Sequence, residues 1–117
     1  MGVHARDLYE QLCGMRPGME EYIGGAYLPL LYHVEERVIH EVLRTSVDVD
    51  PENLLLPPPH DDVYWKYILP FLDLGLGKIE MYREGMKVFQ EAWNRLFRHI
   101  HLEGTGFLEF PDGIPGE

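Results

Sequence analysis

Three residues in one stretch carry side chains that bind metals: His33, Glu36 and His40. Separations of three and then four residues stack them along one face of a helix. Imidazole with carboxylate suits zinc or iron. Arg37 stands between them, and a guanidinium is a poor neighbour for a cation. Neither the Glu-x-x-His spacing of carboxylate-bridged bundles nor a His-Glu-x-x-His zinc motif occurs here, since Glu36 and His40 are four apart. The set therefore reads as a solvated polar face, with no metal and no cofactor expected. A metal-dependent helical-bundle enzyme is the alternative it leaves open.

Other chemistry is thinner still. Asp48, Asp50 and Glu52 resemble the opening of a calcium loop, but Asn53 stands where such a loop needs glycine, and Pro59 where it needs its bidentate glutamate. His99 and His101 flank Ile100 and point to different sides of a helix, near a C-terminus whose dipole favours imidazolium. Ser46 is the only serine, no Gly-x-Ser-x-Gly occurs, and Gly24-Gly25 and Gly75-x-Gly77 fall short of either phosphate-binding fingerprint. No catalytic residue is assigned.

The elements that would position these groups are helical. From Lys78 to His101 the apolar residues Ile79, Tyr82, Met86, Phe89, Trp93, Leu96 or Phe97, and Ile100 recur at steps of three and four, the period of one helix face. Residues 27–45 show two faces, with Tyr27, Leu31, Val34, Val38, Val42 and Thr45 opposite His33, Glu36, Arg37, His40 and Arg44. Shorter patterns predict helices over 4–14, closed by Gly14, over 17–23, interrupted by Gly24-Gly25, and over 61–73. Pro29 either sits in a first turn or kinks a longer helix, and Pro70 either kinks its helix or ends it at Leu69. Asp61 and Asp62 are expected to cap the third of these helices, with Asp62 pairing to Lys66 and Glu91 to Arg95. Between the helices, Leu54-Leu55-Leu56 is expected to pin a connector to the core, and Pro57-Pro58-Pro59 to run extended as polyproline II. Gly85, which weakens the last helix, points to close packing there.

The expected fold is therefore all-α: a small helical bundle over residues 1–103 with a proline-rich connector, and an extended C-terminal arm over 104–117. A chain of 117 residues fits one domain, and 45% apolar residues suffice for a modest core. The formal net charge of −10 argues against phosphate-backbone binding, hence no sequence-specific nucleic-acid recognition. Acids gather over residues 46–62 and 103–117, whereas 78–101 holds five bases against three acids. Cys13 stands alone, so no internal disulfide forms. No apolar run approaches the roughly 18 residues of a membrane span, and the first ten residues lack a signal-peptide core.

Large rings are abundant for a small domain. Most are expected in the core, with Trp65 and Trp93 as candidate interface anchors. Phe107, Leu108 and Phe110 alternate along the arm, where a partner groove would bury them more readily than the bundle would.

Taken together, Asp62 to Leu72, the helix Ile79 to Ile100 and the arm Gly106 to Pro111 resemble the head–tail connector (adaptor, or head-completion) proteins of tailed bacteriophages, over roughly Tyr27 to Phe110. The resemblance implies a non-enzymatic virion component, assembled in the host cytoplasm. It implies a homo-oligomeric ring between the portal and the tail-side proteins, with the arm reaching into portal clefts. The arm here is short, glycine-rich and acidic, unlike the helical end of some members. The alternative from another class is a small acidic helical binder or inhibitor that docks a basic partner.

Overall fold

The computed structural model describes residues 4–103, and the arm, with Phe107, Leu108 and Phe110, lies outside them. The chain is all-α, with four α-helices and one π-helical turn among the described residues. None of these helices is long and apolar enough to cross a membrane.

Helix α1 (Ala5–Met15) begins where His4 Nδ1 accepts the Arg6 N–H at 3.0 Å, and it buries Ala5, Leu8 and Leu12. Gly14 is inside this helix rather than beyond its end; Arg16 is the C-cap, its N–H bonded to the Leu12 carbonyl. Helix α2 (Glu20–Arg37) joins two segments that the sequence separates. Gly24 and Gly25 do not break it; Gly24 packs beside the Tyr9 ring, where a Cβ would make an ordinary 3.6 Å contact. Pro29 stays within the helix on its exposed side, held by the burial of Ile23 before it and Leu31 after it. Tertiary packing outweighs the local preference in both places.

A π turn (Val38–Val42) extends α2, with the Leu43 N–H reaching back to the Val38 carbonyl. The extra residue per turn brings Val38, Ile39 and Val42 all into the core. The helix then ends on Arg44 at φ 53°, and the Thr45 N–H closes onto the Ile39 carbonyl at 3.1 Å. This is the left-handed C-terminal cap that glycine usually fills. Arg44→Gly is expected to raise stability by about 1 kcal/mol, read from a shifted urea midpoint at unchanged slope; an unchanged midpoint would mean that the arginine carries no strain.

The connector is anchored as expected, with Leu54, Leu55 and Leu56 buried and the Pro51 carbonyl accepting the Ala5 N–H at 2.7 Å. The three prolines do not run on as polyproline II. The Pro58–Pro59 peptide is cis, and the Pro57 carbonyl accepts from the His60 and Asp61 N–H groups, so the chain turns directly into α3 (Asp62–Gly75). Neither aspartate caps that helix through its side chain. Asp62 instead takes Lys66 at 2.7 Å and Arg95 from the last helix, which leaves Glu91 without the expected Arg95 partner.

Helix α3 continues through Pro70, and α4 (Ile79–Glu103) folds back along it after a corner at Gly77, φ 78°. Their seam explains Gly85. A Cβ there would lie 2.5 Å from Pro70 Cγ and 3.0 Å from its Cβ. The proline ring is fixed to its own backbone and cannot swing aside. Gly85→Ala gains helix propensity but overpacks the seam, and a net loss of about 1–2 kcal/mol is expected in chemical denaturation. A variant as stable as the parent would show that α3 and α4 separate easily.

The core runs between these helices, with Tyr64, Phe89, Leu96 and the leucines of the connector at its centre. The molecule is elongated, 44 × 26 × 21 Å, and α4 packs mainly along α3.

Candidate functional site

The metal-like triplet is divided by the structure. His33 turns to α3, where its Nδ1 shares a 2.6 Å hydrogen bond with Tyr67 Oη and its ring stands edge-on to the tyrosine. Burial raises the pKa of that phenol; nearby Arg37 opposes the rise. Glu36 and His40 instead face an open cleft of about 360 Å³, whose other wall is the irregular segment from Ser46 to Val49. Asp48, the first residue of the calcium-like run, lines the same cleft. Among the described residues no three His, Cys, Asp or Glu side chains gather closely enough to hold a metal ion.

Two acids are buried among the described residues, and the deeper is Glu35, 1% exposed. Its Oε2 accepts the Leu55 N–H and its Oε1 accepts the Tyr64 hydroxyl, both at 2.8 Å; the Tyr64 oxygen in turn accepts the Leu56 N–H at 2.9 Å. The knot ties α2, the connector and α3 together. Burial pushes the Glu35 carboxyl up to about 7 against the pull of its two donors, and the same burial with the neighbouring Glu35 charge lifts Tyr64 well above its ordinary value. Buried and bonded at both oxygens, the carboxylate holds these three segments together. A sequence signal for it exists: Glu35 falls midway between Leu31 and Ile39 at steps of four, on a buried line.

A second buried acid, Asp73, is met by Arg16 through two bonds, Nε to Oδ1 at 3.3 Å and Nη2 to Oδ2 at 3.0 Å. His60 lies against His99, ring centres 4.6 Å apart, joining the start of α3 to the end of α4. Burial, then the charges of His99 and Arg95, lower the His60 pKa. Neither pairing follows from local spacing.

The two tryptophans are placed differently. Trp93 is 4% exposed and lies in the chain's own core, with the Arg37 guanidinium 4.7 Å above its ring and Phe97 edge-on to it. Its ring is occupied within the chain, so it offers little surface to a partner. Trp65 is half-buried, with Lys66 Nζ 5.4 Å from its ring centre.

Most of the exposed large apolar side chains lie at the two ends of α4, with Val88 between them on the same helix and Leu28 and Tyr32 on α2. Leu74, Leu76, Ile79 and Met81 surround the α3–α4 corner, and Phe97 and Leu102 stand at the other end, where Leu102 is 78% exposed. Phe97, Arg98, His101 and Leu102 frame a shallow depression there. The described surface thus carries apolar side chains at both ends of α4 and an open cleft beside α2 lined by Glu36, His40 and Asp48. No family model matches this chain, and no curated protein or solved structure matches it either.

Proposed function

We propose that this chain is a non-enzymatic assembly protein that forms a head-to-tail ring, as an adaptor between the portal and the tail-side proteins of a tailed-phage neck. The observation that carries the reading is the separation of the two apolar ends of α4. Ile79 and Leu102 lie roughly 35 Å apart along the helix, and both are exposed. A ring needs two different, mutually complementary surfaces on each subunit, placed so that one copy's end meets the next copy's corner. Patches at opposite ends of an elongated molecule supply that arrangement, whereas a single patch would give a twofold dimer. The arm, 104–117, continues from the end that carries Phe97 and Leu102. A formal charge of −10 would let DNA pass through such a ring without adhering.

Light scattering and electron microscopy of the purified chain, alone and with a portal protein, test the proposal. Closed rings, or a portal-bound complex, are expected, and Leu102→Asp, at a side chain 78% exposed, should dissolve them while leaving the fold intact. A strict monomer that ignores the portal overturns the reading.

A further inference from the structure

Two side-chain pairs of different kinds join the start of α3 to the end of α4. Asp62 takes Arg95, an ion pair whose charges persist at any pH near neutrality. One turn further along α4, His99 lays its ring on His60, with centres 4.6 Å apart and planes at 41°. His60 is 6% exposed and stands just ahead of α3, at the positive end of that helix's dipole. Two neutral rings pack there without conflict. A proton on His60 puts a charge where water is largely shut out, and a second on His99 puts like charges in contact.

The surrounding charges do not relieve that conflict. Asp61 and Asp62 face His60 from the start of α3, and Arg95 and His99 face it from α4. Asp62 is already shared between Lys66 and Arg95. Those two acids and two bases cancel, so each proton on the rings leaves the junction with a net positive charge. Burial first, then His99 and Arg95, lower the His60 pKa against the pull of the two aspartates. Little else holds the end of the helix down. Beyond the buried Leu96, only His99 and Ile100 are half-buried, while Phe97, Arg98, His101 and Leu102 are exposed.

We propose that His60 and His99 form an acid-sensitive latch, which holds the last turns of α4 against the start of α3 while His60 is neutral and releases them when acid charges both rings. The direction follows from the lowered folded value: the contribution of the pair is complete above the ordinary 6.5 and is lost as pH falls below it. Glu35 acts the other way, since its raised folded value strengthens the fold as pH falls from about 7. Acid therefore loosens the end of α4 without loosening the core. Phe97 and Leu102 ride on the same turns, so release unseats the apolar end that a neighbouring copy would meet. That consequence for assembly rests on the ring reading, whereas the latch is a property of the single chain.

Amide hydrogen exchange of the full chain, at a concentration where light scattering finds monomers, tests the latch. Protection factors, which remove the intrinsic pH dependence of exchange, are compared at pH 7.5 and pH 5.5. At one unit below 6.5 the open end takes up a proton that the closed latch resists, so protection at Arg98 to Leu102 should fall about tenfold. Leu31 and Val34, in the core, should keep theirs. His60→Phe keeps a ring against His99 but takes no proton, and the fall should disappear. His60→Gln should do the same, and it serves if the phenylalanine does not fold. His99→Phe removes the like charge but not the burial, so a smaller fall should remain. His101→Gln, on the other side of the turn, should leave the whole fall in place. Equal protection of the end at both pH values, a fall that persists in the His60 variants, a full fall in His99→Phe, loss of the fall in His101→Gln, or an equal fall at Leu31 and Val34 would each overturn the proposal. A failure to form rings changes none of these readings.

Discussion

Arg16→Met is expected to lower folding stability by about 3 kcal/mol, the cost of leaving a buried carboxylate without its cation. Asp73 is 3% exposed, and Arg16 holds both of its oxygens across 57 residues of chain, so that the end of α1 is fastened to the end of α3. Met keeps much of the length and apolar contact of the arginine stem, which leaves the charge as the main difference. The arginine is a quarter exposed, and water admitted at that edge sets the loss at the lower end of the range for such pairs. A second variant separates charge from packing. Arg16→Met with Asp73→Leu removes both partners and should recover most of the stability, since well-packed apolar groups often replace a buried ion pair without loss. Urea denaturation of the four proteins in the cycle measures the coupling. Additive losses would mean that the pair is geometric only and that the end of α1 is held by Leu8 and Leu12.

What the chain showed in advance, and what it concealed, divides by the range of the interaction. The stripe on α4 was legible because Phe89, Trp93 and Leu96 obey the helical period, and all three are buried. The purpose of Gly85 was legible too, since an unfavourable residue inside a strong helix points to a close neighbour. Pro70 as that neighbour was not, because it is fifteen positions away and local rules read it as a helix end. Pro29 and Gly24-Gly25 misled for a related reason: their propensities are worth about 1–3 kcal/mol, and the burial of Ile23 and Leu31 on both sides outweighs them. Glu35 was concealed because charge is normally a surface signal. The cleft was half legible. Glu36 and His40 share a helix face in any periodic reading, but the π turn and the return of Ser46 to Val49 against that face are tertiary facts. The partner of His33 was concealed for a long-range reason as well, since Tyr67, whose hydroxyl shares a hydrogen bond with its ring nitrogen, lies 34 residues on.

The contribution of Glu35 to stability should fall as pH rises from about 4.5 to about 7, and Glu35→Gln should remove that fall, roughly 3 kcal/mol. The sign follows from the direction of the shift. Burial raises the folded carboxyl from an ordinary 4.5 to about 7, in spite of the Leu55 and Tyr64 donors. Below both values the acid is protonated folded or unfolded, and its contribution is fully present. Between them only the unfolded chain releases the proton, so each step up in pH favours unfolding; above the folded value the loss is complete and constant. His60 acts in the opposite sense, because burial, His99 and Arg95 lower its pKa, and the stability it contributes is lost as pH falls below its ordinary 6.5. Asp62, held low by Lys66 and Arg95 against its burial, loses its contribution only below its ordinary 3.8. The wild-type profile therefore mixes terms, but His60 and Asp62 are present in both proteins, and the difference between the two profiles isolates Glu35. That difference should be flat above pH about 7 and change by roughly 3 kcal/mol in favour of the wild type as pH falls to about 4.5. Gln can still accept the Leu55 N–H, and its amide stands where the protonated acid would, so any constant offset between the profiles reports hydrogen-bond geometry and not ionisation. Parallel profiles would mean that water reaches the carboxylate in the folded chain and that the knot of Glu35, Tyr64 and Leu55 is looser than its 2.8 Å bonds imply.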